Sequence, residues 1–399
     1  MRPLWGTADG FPRVTGSAIF SIGDDGFGER QLTPFADDVF NVSDTWPQPF
    51  DTVENWNTQA FSPSGNYSLF LKGNNPYSPA QNFTFGKYYV MDAQGRRMPP
   101  LFRGANDMAP GTDGRSYSYL TWGPAGTNRI AYGNSVQGKP VCHACVYLIN
   151  PNGKDERKLW CAHDDYPQHE HAIEGIRWSG DGNSLLVYDD ITRPGHPYDY
   201  HSANLYRINV ATGAAKLVQT NVAAPQYGRG GDVSYDGHEV VFETNVPGTC
   251  DPHVTDQQVV CAKNLRTGQK VALVSPEGQA LLGGGQMLLT PDGSQAVLMG
   301  VIANTGVAEL FLASTDGTAI RQVTRPCVPL DPQALDEEAW VPVRLSPDGT
   351  RLLANCYVYQ NEGTPNASQQ VRMYIINLID GSARYIANGL AYDWHVPST

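Results

Sequence analysis

Short apolar runs alternate with polar turns along most of the chain, and the alternation itself recurs as a block. One block reads Val343-Arg344-Leu345, then the polar turn Ser346-Pro347-Asp348-Gly349, then the alternating stretch Arg351-Leu352-Leu353-Ala354. After a loop come Met373-Tyr374-Ile375-Ile376-Asn377-Leu378, the pair Asp380-Gly381 and a last run, Ala383-Arg384-Tyr385-Ile386. Runs of this length, rich in β-branched and aromatic residues and bounded by Asp-Gly or Asn-Gly, predict four antiparallel strands joined by hairpins. The last hairpin is marked elsewhere by "NPNGKDERKLW", "VATGAAKLV", "LRTGQKVALV" and "STDGTAIRQVT". No stretch sustains a helical period; "DPQALDEEA", residues 331–339, is the best candidate for a short helix.

The polar turn returns as "FSPSG" ending at Gly65, "WGPAG" at Gly126, "WSGDG" at Gly182, "VSYDG" at Gly237, "LTPDG" at Gly293 and "LSPDG" at Gly349, with a degenerate "WGTADG" ending at Gly10. Successive glycines lie 55, 61, 56, 55, 56 and 56 residues apart. Seven blocks at this period fill the 399 residues and predict one domain, 1–399. Four strands in each of seven blocks predict an all-β fold, a seven-bladed β-propeller of four-stranded antiparallel blades. A right-handed β-helix has much shorter coils. The C-terminal "LAYDWHVPST" starts an eighth first strand, expected to close the ring with the first block. The Ser-Pro-Asp-Gly turn that opens each block resembles the repeat of TolB-like propellers over almost the whole chain. That resemblance implies the fold and is nearly silent on function.

Composition narrows the setting. A net charge of -12 argues against nucleic acid or an anionic membrane surface as partner. No run of apolar residues is long enough for a transmembrane helix. The first residues, "MRPLWGTADG", lack the apolar core of a signal peptide. Seven cysteines and the sequons at Asn41, Asn66, Asn82 and Asn366 favour a secreted or periplasmic protein whose signal has been removed. A monomer is expected. Twenty tyrosines and eight tryptophans suit strands and also sugar-stacking surfaces.

In a propeller, loops entering the first strand and leaving the second surround one mouth of the central channel. The repeat acts as a ruler for that mouth. Eleven residues before the turn glycine lie Glu54, Arg115, His171, Gln226, Leu282 and Glu338. Trp56, Tyr117 and Trp340 follow two residues after Glu54, Arg115 and Glu338. Asn134, Asp190, Asn245 and Tyr357 sit about eight residues after the glycine, leaving the second strand. The fourth block adds a long polar loop, "DDITRPGHPYDYHSAN", with Arg193, His196, Tyr198, Tyr200 and His201, and the fifth adds His253. His169 and His171 alternate on one extended segment and therefore point the same way, suited to a shared metal ion or anionic ligand. Because a rim loop contributes little to the blade core, replacing His171 by Ala is expected to lower turnover with little loss of stability. The plain alternative is two loop histidines that cap and hydrogen-bond blade edges.

The His-x-His segment leading into a repeat turn resembles oligogalacturonate lyases, which are seven-bladed propellers. In that family clustered His and Gln side chains hold a divalent metal that binds the substrate carboxylate. The resemblance implies a metal (Ca, Mn or Zn) held by Gln168, His169 and His171, with His253 or His201 completing the set. Propeller lyases acting on ulvan or on rhamnose–glucuronate linkages place His, Tyr and Arg in the same mouth. A uronide lyase must neutralise a carboxylate, remove the proton at C5 and protonate the leaving oxygen. Arg115 and Arg193 suit the first task, and His171, His201 and Tyr198 the other two. Glu54, Trp56, Tyr117, Asn134, Asp190, Gln226, Asn245 and Trp340 are expected to line the substrate, an acidic polysaccharide or oligosaccharide. Two alternatives stand beside the lyase. One is a non-catalytic propeller that binds a glycan or protein. The other is a glycoside hydrolase using paired carboxylates such as Glu54 with Glu338 or Asp190.

Cys142-x2-Cys145 with Cys161-x-His163 has zinc-site spacing. However, Cys145 and Cys161 lie at equal distance from the hairpin centre at Gly153, as cross-strand partners do, which favours a disulfide from Cys161 to Cys145 or Cys142. Cys250 and Cys261 flank one loop, and Cys327 and Cys356 meet where the sixth block hands over to the seventh. No phosphate-binding glycine loop and no Gly-x-Ser-x-Gly elbow is present.

Overall fold

The computed structural model describes residues 2–8, 11–18, 20–23, 25–31, 39–40, 62–64, 66–72, 87–92, 96–102, 115–124, 126–136, 144–162, 170–192, 202–223, 231–244, 246, 248–251, 259–275, 280–283, 285–302, 307–327, 337–360, 368–389 and 391. All regular elements among them are strands. Each block from the second to the fifth forms a four-stranded antiparallel sheet in chain order. The third sheet runs through Arg115–Trp122, Ile130–Val136, Ala144–Ile149 and Arg157–Cys161. The fourth runs through Glu170–Trp178, Ser184–Thr192, Ser202–Asn209 and Ala215–Ala223. The strands of the sixth and seventh blocks share one nine-stranded sheet, joined by a single parallel pairing, Ala308 with Ala339. In the first block Arg2–Ala8 pairs with Phe11–Ala18.

The turns explain why the blocks repeat. Ser179 Oγ donates to Asp181 Oδ1 (2.6 Å) and accepts from the Ser184 amide (2.9 Å). Ser234, Thr290 and Ser346 do the same in their blocks. The closing glycine takes φ of 94° at Gly126 and 70–73° at Gly182, Gly237, Gly293 and Gly349, a left-handed conformation that glycine adopts without a steric cost. Side chain and glycine together satisfy the turn amides and aim the next strand.

Packing explains why the strands read as continuous apolar runs. Ile130 and Tyr132 pack in a core with Leu69 and Val90 of the second sheet, while Ala131 packs with Ile173 and Ile176 of the fourth. Leu310 and Leu312 likewise face Trp340 and Leu352, while Phe311 and Ala313 face Val241 and Val260. The third and sixth sheets are thus buried on both faces, which calls for apolar residues on both sides of their strands. Outer strands are the wet ones, as in Ala383–Asn388, where most residues are exposed. Arginines tie neighbouring sheets at equivalent places. Arg157 donates to the carbonyls of Val210 (2.5 Å) and Ala211 (3.2 Å), and Arg321 to those of Leu378 and Ile379.

The described chain separates into two compact units, residues 1–20, 31–228 and 395–399 in one and 21–30 and 229–394 in the other. The short-helix candidate 331–339 is strand from Glu337 onward, because Glu337–Leu345 pairs with Arg351–Gln360. Its first six residues, and "LAYDWHVPST" apart from Ala391, lie outside the described residues.

Three disulfides are present: Cys145–Cys161, Cys250–Cys261 and Cys327–Cys356. Cys145 and Cys161 are direct cross-strand partners, as their symmetry about Gly153 requires. The bridge removes both as zinc thiolates; Cys142 and His163 lie outside the described residues. Three bridges are what an oxidising, extracytoplasmic compartment sustains. No helix among the described residues is long and apolar enough to cross a membrane.

Candidate functional site

His171 is the best-defined of the candidate residues. It lies in a strand rather than a loop, one residue into Glu170–Trp178, and is 8% exposed. Its Nδ1 is 2.8 Å from Asp189 Oδ1 on the adjacent strand Ser184–Thr192, and Asp189 is 1% exposed. The pairing register sets this contact. Trp178 opposes Leu185 and Gly175 opposes Tyr188, but beyond the bulge at Glu174 the register advances by one, so Ile173 opposes Asp189 and His171 opposes Ile191. Without the bulge Asp190 would share a face with His171; with it, Asp189 does. Asn204 stands opposite Asp189 on the third strand, and Tyr206 follows on the same face. The Tyr206 hydroxyl is raised above its ordinary pKa by burial and by the nearby Asp189 charge.

A register shift recurs in two other blocks, between Ala131 and Gly133 in the third sheet and between Pro342 and Arg344 in the seventh. In the third sheet Tyr119, at φ 55°, donates its hydroxyl to the carboxylate of Glu174, the bulge residue of the fourth. Trp178 Nε1 donates to the Thr121 carbonyl at 3.2 Å. These contacts hold the first strands of the third and fourth sheets together, with Arg115 and His171 one residue apart in strand position at their starts.

Other candidates are placed as follows. Arg115 and Tyr117 are on Arg115–Trp122, and Tyr117 pairs with Asn134. Asn134 is 3% exposed, with its Oδ1 buried and without a hydrogen-bond partner among the described residues. Asp190 is 3% exposed and opposes Ala172 on one side and Ala203 on the other. Trp340 is a core residue in the other compact unit: it is buried, donates Nε1 to the Arg325 carbonyl (3.0 Å) and packs on Tyr374. Glu54, Trp56, Gln168, His169, Arg193, Tyr198, His201, Gln226, Asn245 and His253 lie outside the described residues.

One cluster joins Glu338, which the repeat ruler places, to Glu309, which carries no sequence signal. Glu309, on Ala308–Ser314, and Glu338, on Glu337–Leu345, meet where these strands pair through Ala308 and Ala339. Glu309 accepts from Thr324 Oγ1, and both oxygens of Glu338 accept the Cys327 amide (2.9 and 3.0 Å). Burial, and then the Glu338 charge, push the Glu309 carboxyl up to about 7. Cys327, Glu338 and Cys356 bring three ligand-type atoms within 4.8 Å of one another, but the two sulfurs are bonded together and offer no thiolate. For a divalent metal, His171 fits: a metal-binding histidine characteristically sets its other ring nitrogen against a carboxylate, and His171 Nδ1 lies 2.8 Å from Asp189 Oδ1.

Four-stranded antiparallel sheets in chain order, packed face to face, define the β-propeller class. Two solved structures with TM-scores above 0.5 agree. Oligogalacturonate lyase in complex with manganese matches with a TM-score of 0.57 at 13% identity, over 93% of this chain and 84% of that one. Oligogalacturonate lyase from Vibrio parahaemolyticus matches with a TM-score of 0.55 at 11% identity, over 94% of this chain and 85% of that one. TolB from Acinetobacter baumannii gives 0.40 at 11% identity, over 88% and 85%. At these identities the likeness is one of fold. No family model and no curated protein matches the sequence.

Proposed function

We propose that the protein is a secreted or periplasmic polysaccharide lyase that cleaves an acidic, uronic-acid-containing glycan by β-elimination. The observation that carries the reading is the buried His171–Asp189 pair at the start of a first strand, in a chain with the fold of oligogalacturonate lyase. A second support is the density of basic and phenolic residues that the repeat assigns to the same strand ends.

In this reading Arg115 and Arg193 face the substrate carboxylate and stabilise the charge that develops when C5 is deprotonated. His201 or Tyr198 takes the C5 proton, the electron pair forms the C4–C5 double bond, and the C4–O bond breaks. A second acid of the set returns a proton to the leaving glycosidic oxygen. Gln168, His169, His171 and His253 are the residues that would hold a divalent metal, which when bound neutralises the uronate carboxylate. Glu54, Trp56, Tyr117, Asn134, Asp190, Gln226 and Asn245 would orient the sugar. Trp340 acts from the core, supporting the strand that carries Glu338.

The test is incubation with a panel of uronate polysaccharides and oligosaccharides, with manganese, calcium or zinc, following the absorbance of the unsaturated uronate product. Formation on at least one substrate is expected, falling by roughly 10²-fold or more in His171→Gln. Binding without new absorbance, or reducing ends released without it, would replace the lyase by a binding protein or a hydrolase.

A further inference from the structure

We infer that Asp189 is a positioning residue for the site, fixing the tautomer of His171. The inference rests on the reading of His171 as a site residue. Its observation is independent of any substrate: a 2.8 Å contact from His171 Nδ1 to a carboxylate oxygen, between side chains that are 7% and 1% exposed. Asp189 as a carboxylate has only acceptor sites, so the hydrogen in this contact belongs to Nδ1. The neutral ring then carries its lone pair on Nε2, and that nitrogen alone can bind a metal or accept a proton. Orientation is fixed along with protonation. Both residues sit within paired strands, on the face created by the Glu174 bulge, so neither depends on a loop for its place. Asn204 stands opposite Asp189 on the third strand. The bulge therefore has a chemical consequence: it exchanges Asp190 for Asp189 beside the imidazole.

The imidazole can be read directly. Protein labelled with ¹⁵N-histidine is examined by two-bond ¹H–¹⁵N correlation at mildly alkaline pH, and the His171 signals are assigned by their loss in His171→Gln. The wild type is expected to show one tautomer, with the proton on Nδ1. Asp189→Asn is expected to populate the other tautomer and to lower kcat on a cleaved uronide by about tenfold, the usual scale for a carboxylate behind a functional histidine. A wild-type ring protonated on Nε2, or on both nitrogens, overturns the inference, as does an unchanged tautomer in a folded Asp189→Asn. If that variant does not fold, the wild-type spectrum still decides. Should the tautomer behave as expected while no uronide is cleaved, the lyase reading fails and the positioning contact stands.

Discussion

Glu309 offers a quantitative test of the sheet-to-sheet junction that needs no substrate. Its carboxyl is buried beside Glu338 and is raised from an ordinary 4.5 to about 7. At about 1.4 kcal/mol per pH unit, that difference corresponds to about 3 kcal/mol between the neutral and charged forms. Relaxation and water entry reduce what is measured, so about 1–2 kcal/mol is the expected effect. Because the folded pKa lies above the unfolded one, the contribution is fully present below about 4.5 and is lost as pH rises through about 7. Wild-type stability should therefore fall between about pH 4.5 and about 7 and level off above. Glu309→Gln keeps an oxygen for Thr324 Oγ1 and has no charge to acquire. The measurement is urea unfolding of both proteins, disulfides intact, at pH 5, 7 and 9. The variant should match or trail the wild type at pH 5 and gain on it by about 1–2 kcal/mol at pH 9. A constant difference between the two across the series would refute the assignment of a buried, shared-field carboxyl at this junction.

Non-reducing peptide mapping should recover Cys145–Cys161, Cys250–Cys261 and Cys327–Cys356; finding three or more free thiols would contradict them. Opening one by a Cys→Ser pair should cost about 2–4 kcal/mol. In the turn of the seventh block, hydrogen bonds from Ser346 and Thr350 hold Asp348 down at about 2. Its contribution is present above 3.8 and lost as pH falls through about 2, so Asp348→Asn should flatten the acid limb of the stability curve, and an unchanged limb would count against the turn network. His171→Ala should cost stability as well as turnover, since it leaves Asp189 buried without its imidazole partner; thermal denaturation of His171→Ala against His171→Gln will show whether the cost follows the lost partner.

The sequence by itself determined the elements and their order. A turn built on Ser or Thr, Asp and a left-handed glycine leaves a signature in the fourth to seventh blocks, because each residue type meets a local demand of the backbone. The same locality made the Cys145–Cys161 pairing readable, since hairpin partners are symmetric about the turn. It also explains how the ruler could place Arg115 and His171 at equivalent strand ends. Tertiary structure decided which side chains meet. Trp340 fits the ruler for a binding surface, yet packing against Tyr374 makes it core. Glu309 and Glu338 are 29 positions apart in different blocks and meet only because two sheets join at one parallel pair. Asp189 rather than Asp190 faces His171 because one extra residue, Glu174, bulges from a strand. A one-residue change of register reverses every face beyond it, and no local pattern in the sequence announces where it falls.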